Sequence, residues 1–182
     1  MISIFLADGF EEIEAVVTID VLRRSGARVQ TVSIMNGLTV VGSHDIRIQA
    51  DALFLEADFD DATMLVLPGG GRGTDNLLAY RGLKDLLTQK TRFGIWLAAI
   101  CAAPKVLAQH GLLQGKRATI YDGMQGELTD NGACYVAGED IVVDAGVVTS
   151  RGPGTALPFA LCLVELLKGA PIADKVRAEL LY

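Results

Sequence analysis

The stretch Gly94-Ile95-Trp96-Leu97-Ala98-Ala99-Ile100-Cys101-Ala102-Ala103-Pro104 decides the fold. From Ile95 to Ala103 it holds no charged side chain. A continuous apolar run of this length belongs to a strand covered on both faces, the situation of a parallel sheet between helical layers. The strand is expected over Gly94–Ile100. Pro104 suits a first helical turn, where no N–H is needed, and a helix follows to His110, closed by Gly111. Ala99 and Ala103, two residues either side of Cys101, are small enough for a sharp strand-to-helix turn. That is the pattern of a nucleophile elbow, with Ala for the usual Gly and Cys for Ser.

The same alternation extends in both directions. Ile2–Ala7, Arg28–Ile34 and Thr63–Leu67 read as further buried strands, and Glu11–Ser25 and Leu83–Thr91 as helices. Thr39–Val41 and Ile46–Ile48, around Gly42-Ser43, read as a small hairpin. Arg117–Tyr121 and Val147–Ser150 read as strands with Cys134–Val136 and Ile141–Asp144 as companions, and Thr155–Leu167 and Ile172–Leu180 as closing helices. Strands alternating with helices predict an α/β fold with a mainly parallel sheet, and a ligand site outside the carboxyl ends of its strands. Four strand ends share that rim: Ala7–Glu11, Leu67–Gly71, Ile100–Ala103 and Ser150–Gly154.

Composition sets the outer limits. The chain has 182 residues, 51% of them hydrophobic, which predicts one domain over residues 1–182. A net charge of −6 argues against a stable nucleic-acid complex. No apolar run reaches the roughly 20 residues a bilayer requires, and Met1 leads straight into a strand without a basic leader. Three cysteines and two histidines match no metal-ligand spacing, so no metal or cofactor is expected. A sparse, odd cysteine set suits a reducing cytoplasm.

Two side chains stand out chemically. Cys101, just before a helix, meets free N–H groups and the positive end of the helix dipole, which favour a thiolate. Glu14 has Val17, Thr18, Val21 and Leu22 as helical neighbours, a mostly apolar face. Burial there raises a carboxyl pKa and suits it to proton transfer near neutrality. Pro68-Gly69-Gly70-Gly71-Arg72-Gly73 fits no nucleotide-binding fingerprint, and reads either as a tight turn or as a set of amides open to an oxyanion. Cys162 reads as core, Cys134 as an ordinary strand residue, His110 as a helix cap and His44 as surface.

Four strings together carry a resemblance: Asp8-Gly9-Phe10-Glu11-Glu12-Ile13-Glu14-Ala15, Leu67-Pro68-Gly69-Gly70, Ala98–Pro104, and Thr149-Ser150-Arg151-Gly152-Pro153-Gly154-Thr155. In order and spacing the chain resembles the ThiJ/PfpI superfamily, in the branch of Parkinson disease protein 7 and its bacterial relatives. The resemblance implies a flavodoxin-like three-layer sandwich of the class I glutamine-amidotransferase type, and a homodimer through the first helix with Asp20, Arg23 and Arg24 contributing. It implies Cys101 as an oxidation-sensitive nucleophile and Glu14 as its protonated partner. It also implies Gly70 and Ala102 N–H groups as an oxyanion site shaped by Gly69, with Arg151 and Gly152 in the loop bordering the site. One departure stands at Tyr121, where many members carry a histidine. A tyrosine is a poor base near neutrality, which weakens a peptidase reading. Two functions remain open. One is a cofactor-independent glyoxalase or deglycase acting on methylglyoxal or its glycated adducts. The other is an oxidative-stress sensor or chaperone whose cysteine becomes sulfinate.

Overall fold

In the computed structural model, which describes residues 1–182, the elements run in this order. They are β1 (Ile2–Leu6), α1 (Glu12–Arg24), β2 (Val29–Ser33), β3 (Thr39–Val41), β4 (Arg47–Gln49), β5 (Ala52–Leu53), β6 (Met64–Leu67), α2 (Gly71–Ala79) and α3 (Arg81–Thr91). Then come β7 (Trp96–Ile100), α4 (Pro104–Gln109), β8 (Arg117–Ala118), α5 (Gln125–Thr129), β9 (Cys134–Tyr135), β10 (Ile141–Asp144), β11 (Val147–Ser150), α6 (Ala156–Lys168) and α7 (Ala170–Glu179). The main sheet has the order β10-β11-β7-β6-β1-β2-β5. Every pairing in it is parallel except that of the edge strand β10 with β11.

The central strands bury alternate side chains in two separate cores, as the two-residue period of a strand requires. Ile4 and Leu6 of β1, Met64 and Val66 of β6, and Ala98 and Ile100 of β7 face a core shared with Leu22 of α1 and Phe159 of α6. Phe5, Leu65, Leu67, Leu97 and Ala99 face the other, with Leu83 and Leu87 of α3 and Val106 and Leu107 of α4. Both faces are covered, which is why these strands read as unbroken apolar runs rather than alternating ones.

The structure departs from the sequence reading in identifiable places. The strand expected over Arg117–Tyr121 forms only at β8, paired with β9 in a separate two-stranded sheet. Beyond Ala118 the donors are diverted: Thr119 N–H donates to Thr149 Oγ1 (2.9 Å) and Tyr121 N–H to the Cys101 carbonyl (2.9 Å). The glycine run after Pro68 is not merely a turn, because α2 starts within it at Gly71. Its glycines answer a close approach. A Cβ on Gly73 would lie 2.7 Å from Phe10 N and 2.8 Å from the Gly9 carbonyl oxygen. The short α5 and β5 had no sequence signal of their own. No helix is long and apolar enough to cross a membrane.

Candidate active site

Cys101 sits where β7 ends, with φ of +64°. That left-handed conformation is sterically costly for a side chain bearing a Cβ and persists only where surrounding bonds enforce it. Here they do: Cys101 N–H donates to the Ser150 carbonyl (2.9 Å), and the Cys101 carbonyl accepts from Tyr121 N–H. The elbow is thus pinned between β11 and the segment after β8. The side chain is 8% exposed.

Glu14 reaches the same place from α1. The helix is capped by Glu11, whose Oε2 accepts the Glu14 N–H (2.7 Å), so the acidic first turn answers the helix dipole. The Glu14 side chain is fully buried. Its Oε2 accepts the Gly69 N–H (2.8 Å), while Oε1 is buried without a hydrogen-bond partner of ordinary geometry. A bare carboxylate oxygen in that position is expensive. Oε1 is therefore the atom that carries the proton when Glu14 is neutral. A Cβ on Gly69 would lie 2.6 Å from both Cys101 Cβ and Glu14 Oε2, so the two side chains converge on this one glycine.

Burial pushes the Glu14 carboxyl up to about 7, against hydrogen bonds from Cys101 and the Gly69 amide that lower it and Glu11 charge that raises it further. The Cys101 thiol is pushed up to about 12, by burial first and then by the Glu14 charge and hydrogen bond, while the Gly70 and Ala102 amides pull it down. The helix dipole at α4 therefore does not by itself yield a free thiolate, a correction to the sequence reading. The cysteine and the carboxyl form one coupled acid. It holds a single negative charge between about pH 7 and 12, and with the proton on Glu14 that charge rests on sulfur opposite two amide donors.

Gly70 takes φ of +92°, and a Cβ there would collide with the Gly9 carbonyl oxygen, so only glycine can present this amide. Tyr121 lies on the rim, 49% exposed, its ring packed on Gly152, where a Cβ would stand 3.3 Å from Tyr121 Cδ2. Arg151 is held between Asp122 (2.8 Å) and Asp140 (3.1 Å). These residues, with Pro153, Gly154 and Thr155, line a cleft of about 390 Å³. Cys101 and Glu14 are not part of its lining; the cleft is tied to the elbow through the backbone, by the Tyr121 N–H on the Cys101 carbonyl and the Ser150 carbonyl, next to Arg151, on the Cys101 N–H. No histidine lines it.

Sequence reasoning missed Glu11, Asp122 and Asp140, and took His44 for a plain surface residue. His44 is exposed, but its backbone N–H and Nδ1 engage Glu12 (2.6 and 2.8 Å), and Ser43 Oγ donates to the same carboxylate (3.0 Å). This clamp seats the β3–β4 turn on the start of α1. The Glu11-Glu12-x-Glu14 spacing was the available signal: three acidic residues in one first turn need three distinct partners.

The chain matches the DJ-1/PfpI family over residues 1–166. It is 39% identical over 178 residues to protein dj-1beta of Drosophila melanogaster, covering 98% of this chain and 95% of that one. It is 31% identical over 167 residues to a protein of Pyrococcus abyssi named as a deglycase, covering 92% and 99%. The crystal structure of Drosophila DJ-1beta superposes with a TM-score of 0.95 at 39% identity, over 99% of this chain and 96% of that chain. The solved structure of Toxoplasma gondii DJ-1, described as oxidized, gives 0.93 at 35% identity, over 100% and 97%. The chain belongs to the DJ-1/PfpI family, and its fold is the α/β flavodoxin-like sandwich.

Proposed function

We propose that this protein is a cofactor-independent glyoxalase or deglycase that uses Cys101 and Glu14 on methylglyoxal or its adducts. The observation that carries the reading is the convergence of a strained cysteine and a fully buried carboxyl on Gly69, with Glu14 Oε1 free to hold a proton. The thiolate adds to the aldehyde carbon, and Glu14 protonates the carbonyl oxygen as charge builds on it. Gly70 and Ala102 amides stabilise that charge. Glu14, now ionised, removes the C1 hydrogen of the hemithioacetal as a proton and returns it to C2. The aldehyde carbon is thereby oxidised to a thioester and the ketone reduced to an alcohol. Water hydrolyses the thioester, releasing lactate and restoring the thiol. With an aminocarbinol substrate the thiol first displaces the amine, and the remaining steps are the same. Likeness to the Pyrococcus abyssi deglycase supports this reading.

The test is lactate formation from methylglyoxal by wild type, Cys101→Ala and Glu14→Gln. Both variants should lose at least about a hundredfold, the usual scale for general acid–base groups. Equal rates in all three would remove the mechanism.

The amides beside the sulfur also favour a second reading, a redox sensor. Thiolate and one peroxide give sulfenate and water, and a second peroxide gives sulfinate, whose oxygens accept from those amides and from Glu14 Oε1–H. Graded peroxide followed by mass spectrometry should oxidise Cys101 before Cys134 and Cys162. Three free cysteines support a reducing, cytoplasmic setting. A homodimer through α1, near Asp20, Arg23 and Arg24, completes the reading. It is supported by Ile13 and Val16, 54% and 46% exposed on that helix.

A further inference from the structure

The two amides that bear on the Cys101 sulfur stand at the starts of different helices. Gly70 is the residue before α2, and Ala102 lies in the turn that opens α4. Neither start is secured by its own sequence. No side chain caps either helix. The first turn of α2 contains Gly71 and Gly73, poor helix formers. Helix α4 has six residues, too few to hold its shape alone. The spacing of the two amides about the sulfur is therefore set by what α2 and α4 are fastened to.

On one side α2 is fastened to the loop after β1. Gly73 N–H donates to the Gly9 carbonyl (3.1 Å), and Asn76 Nδ2 to the Asp8 carbonyl (2.9 Å). On the other side one hydrogen bond joins it to α4: Lys105 Nζ donates to Asp75 Oδ1 at 2.7 Å. Lys105 is an unusual residue for its place. A cation in the first turn of a helix opposes the helix dipole, and a lysine side chain ordinarily extends into water. This one is only 14% exposed, whereas Asp75 is 67% exposed. The stem runs beneath the surface and the ammonium ends on the carboxylate. A lysine already ordered by burial gives up little more freedom in pairing, unlike the exposed pairs Arg24–Asp20 and Lys175–Glu179.

We propose that Lys105 and Asp75 are positioning residues for Cys101. Their ion pair locks the start of α4 to α2 and holds the Ala102 and Gly70 amides at a fixed spacing about the sulfur. Lys105 acts through the two helices it joins rather than through its charge. The inference rests on the part of the functional reading that gives these two amides to the sulfur, which the enzymatic and redox mechanisms share.

The test reads the thiolate directly. Alkylation of Cys101 by iodoacetamide is followed against pH by mass spectrometry, which separates it from Cys134 and Cys162. Lys105→Met keeps the buried stem, and Asp75→Ala changes a mostly exposed side chain that the fold tolerates. By charge alone the two substitutions act in opposite directions: losing the cation raises the titration midpoint, and losing the anion lowers it. A positioning role moves both midpoints up, by at least about half a pH unit, or roughly threefold in thiolate below the midpoint. The double variant should be no worse than either single one, because each already breaks the same link. Lys105→Arg, which still reaches Asp75, should restore the wild-type midpoint. Thermal melts establish that each variant is folded. Opposite shifts in Lys105→Met and Asp75→Ala, or no shift in either, would overturn the assignment. The methylglyoxal assay is independent of this readout. If both midpoints rise while wild type forms no lactate, the enzymatic reading fails and the positioning role survives it. If lactate forms and the midpoints stay where they were, the reverse holds.

Discussion

At the scale of single residues, the main issue is where the pair's one charge resides. If it resides on sulfur, Glu14 acts as a donor through Oε1, and removing it must make the thiolate harder to form. Glu14→Leu then leaves Cys101 buried with only the Gly70 and Ala102 amides for support, and its alkylation by iodoacetamide should titrate at least about one pH unit higher than in wild type. Glu14→Gln keeps a donor at the same place and should move the titration less. If the charge resides on Glu14 instead, its removal relieves the repulsion that pushes the thiol towards 12, and the titration should move down. The direction of that shift decides the assignment. The pair was half legible in the sequence. Cys101 between Ala99 and Ala103 announced a tight turn, and Glu14 on an apolar helical stripe announced a buried carboxyl. Their common partner was not legible, because Gly69 lies 55 residues from Glu14 and nothing in a glycine run says which amide is used.

Among the elements, the junction of α1 with the β3–β4 hairpin makes the sharpest prediction. The Glu12 carboxyl is lowered to about 2. Its burial, the largest influence, works against this and is outweighed by hydrogen bonds from the His44 ring, the His44 amide and Ser43. The Glu12 hydrogen bond raises His44, with the Glu12 charge next. A depressed carboxyl stabilises the fold above its ordinary value of 4.5 and loses that contribution as pH falls towards 2. A raised imidazole stabilises below its ordinary 6.5 and loses its contribution as pH rises through the folded-state value. The clamp is therefore at full strength from about pH 4.5 to 6.5. His44→Ala should lower the urea midpoint at pH 5.5, and clearly less at pH 9. An equal cost at both values would mean that the ion pair contributes nothing. The hairpin itself was readable from Gly42-Ser43 between β-branched runs. Its attachment was not, since Glu12 and His44 are joined only once β1, α1 and the hairpin are placed together. The strands over Ile2–Leu6, Met64–Leu67 and Trp96–Ile100 were read to within two residues because burial on two faces leaves an unbroken apolar signature. β8 was overread because Ala118 and Ile120 are buried in the second core like strand residues, while the donors beyond Ala118 go to Thr149 Oγ1 and the Cys101 carbonyl instead of continuing a strand ladder.

For the whole molecule, the apolar content exceeds what the two cores absorb. Ile13 and Val16 are exposed apolar side chains on α1, and Val16 lines a groove with Asp20, Arg23 and Asp51 of the Arg24–Asp20 and Arg23–Asp51 ion pairs. If two copies meet there, Ile13→Glu with Val16→Glu places four like charges across the axis. The protein should then elute at half the mass of the wild type in light scattering, with its melting temperature also reduced. A wild-type protein that is already monomeric at micromolar concentration would remove this surface from consideration.

The meeting of Glu14, Gly69 and Cys101 has a consequence for how the chain comes to life during synthesis. The three residues come from α1, the loop after β6 and the turn after β7, and β1 lies beside β6 in the sheet. No contiguous segment shorter than about half the chain contains all of them. A nascent or partly folded chain therefore exposes an ordinary thiol at position 101, without the shared proton or the paired amides. Special reactivity arrives only when the central strands have closed side by side. The chemistry of that one sulfur thus reports the completion of folding, and every partially assembled form offers only an ordinary exposed cysteine.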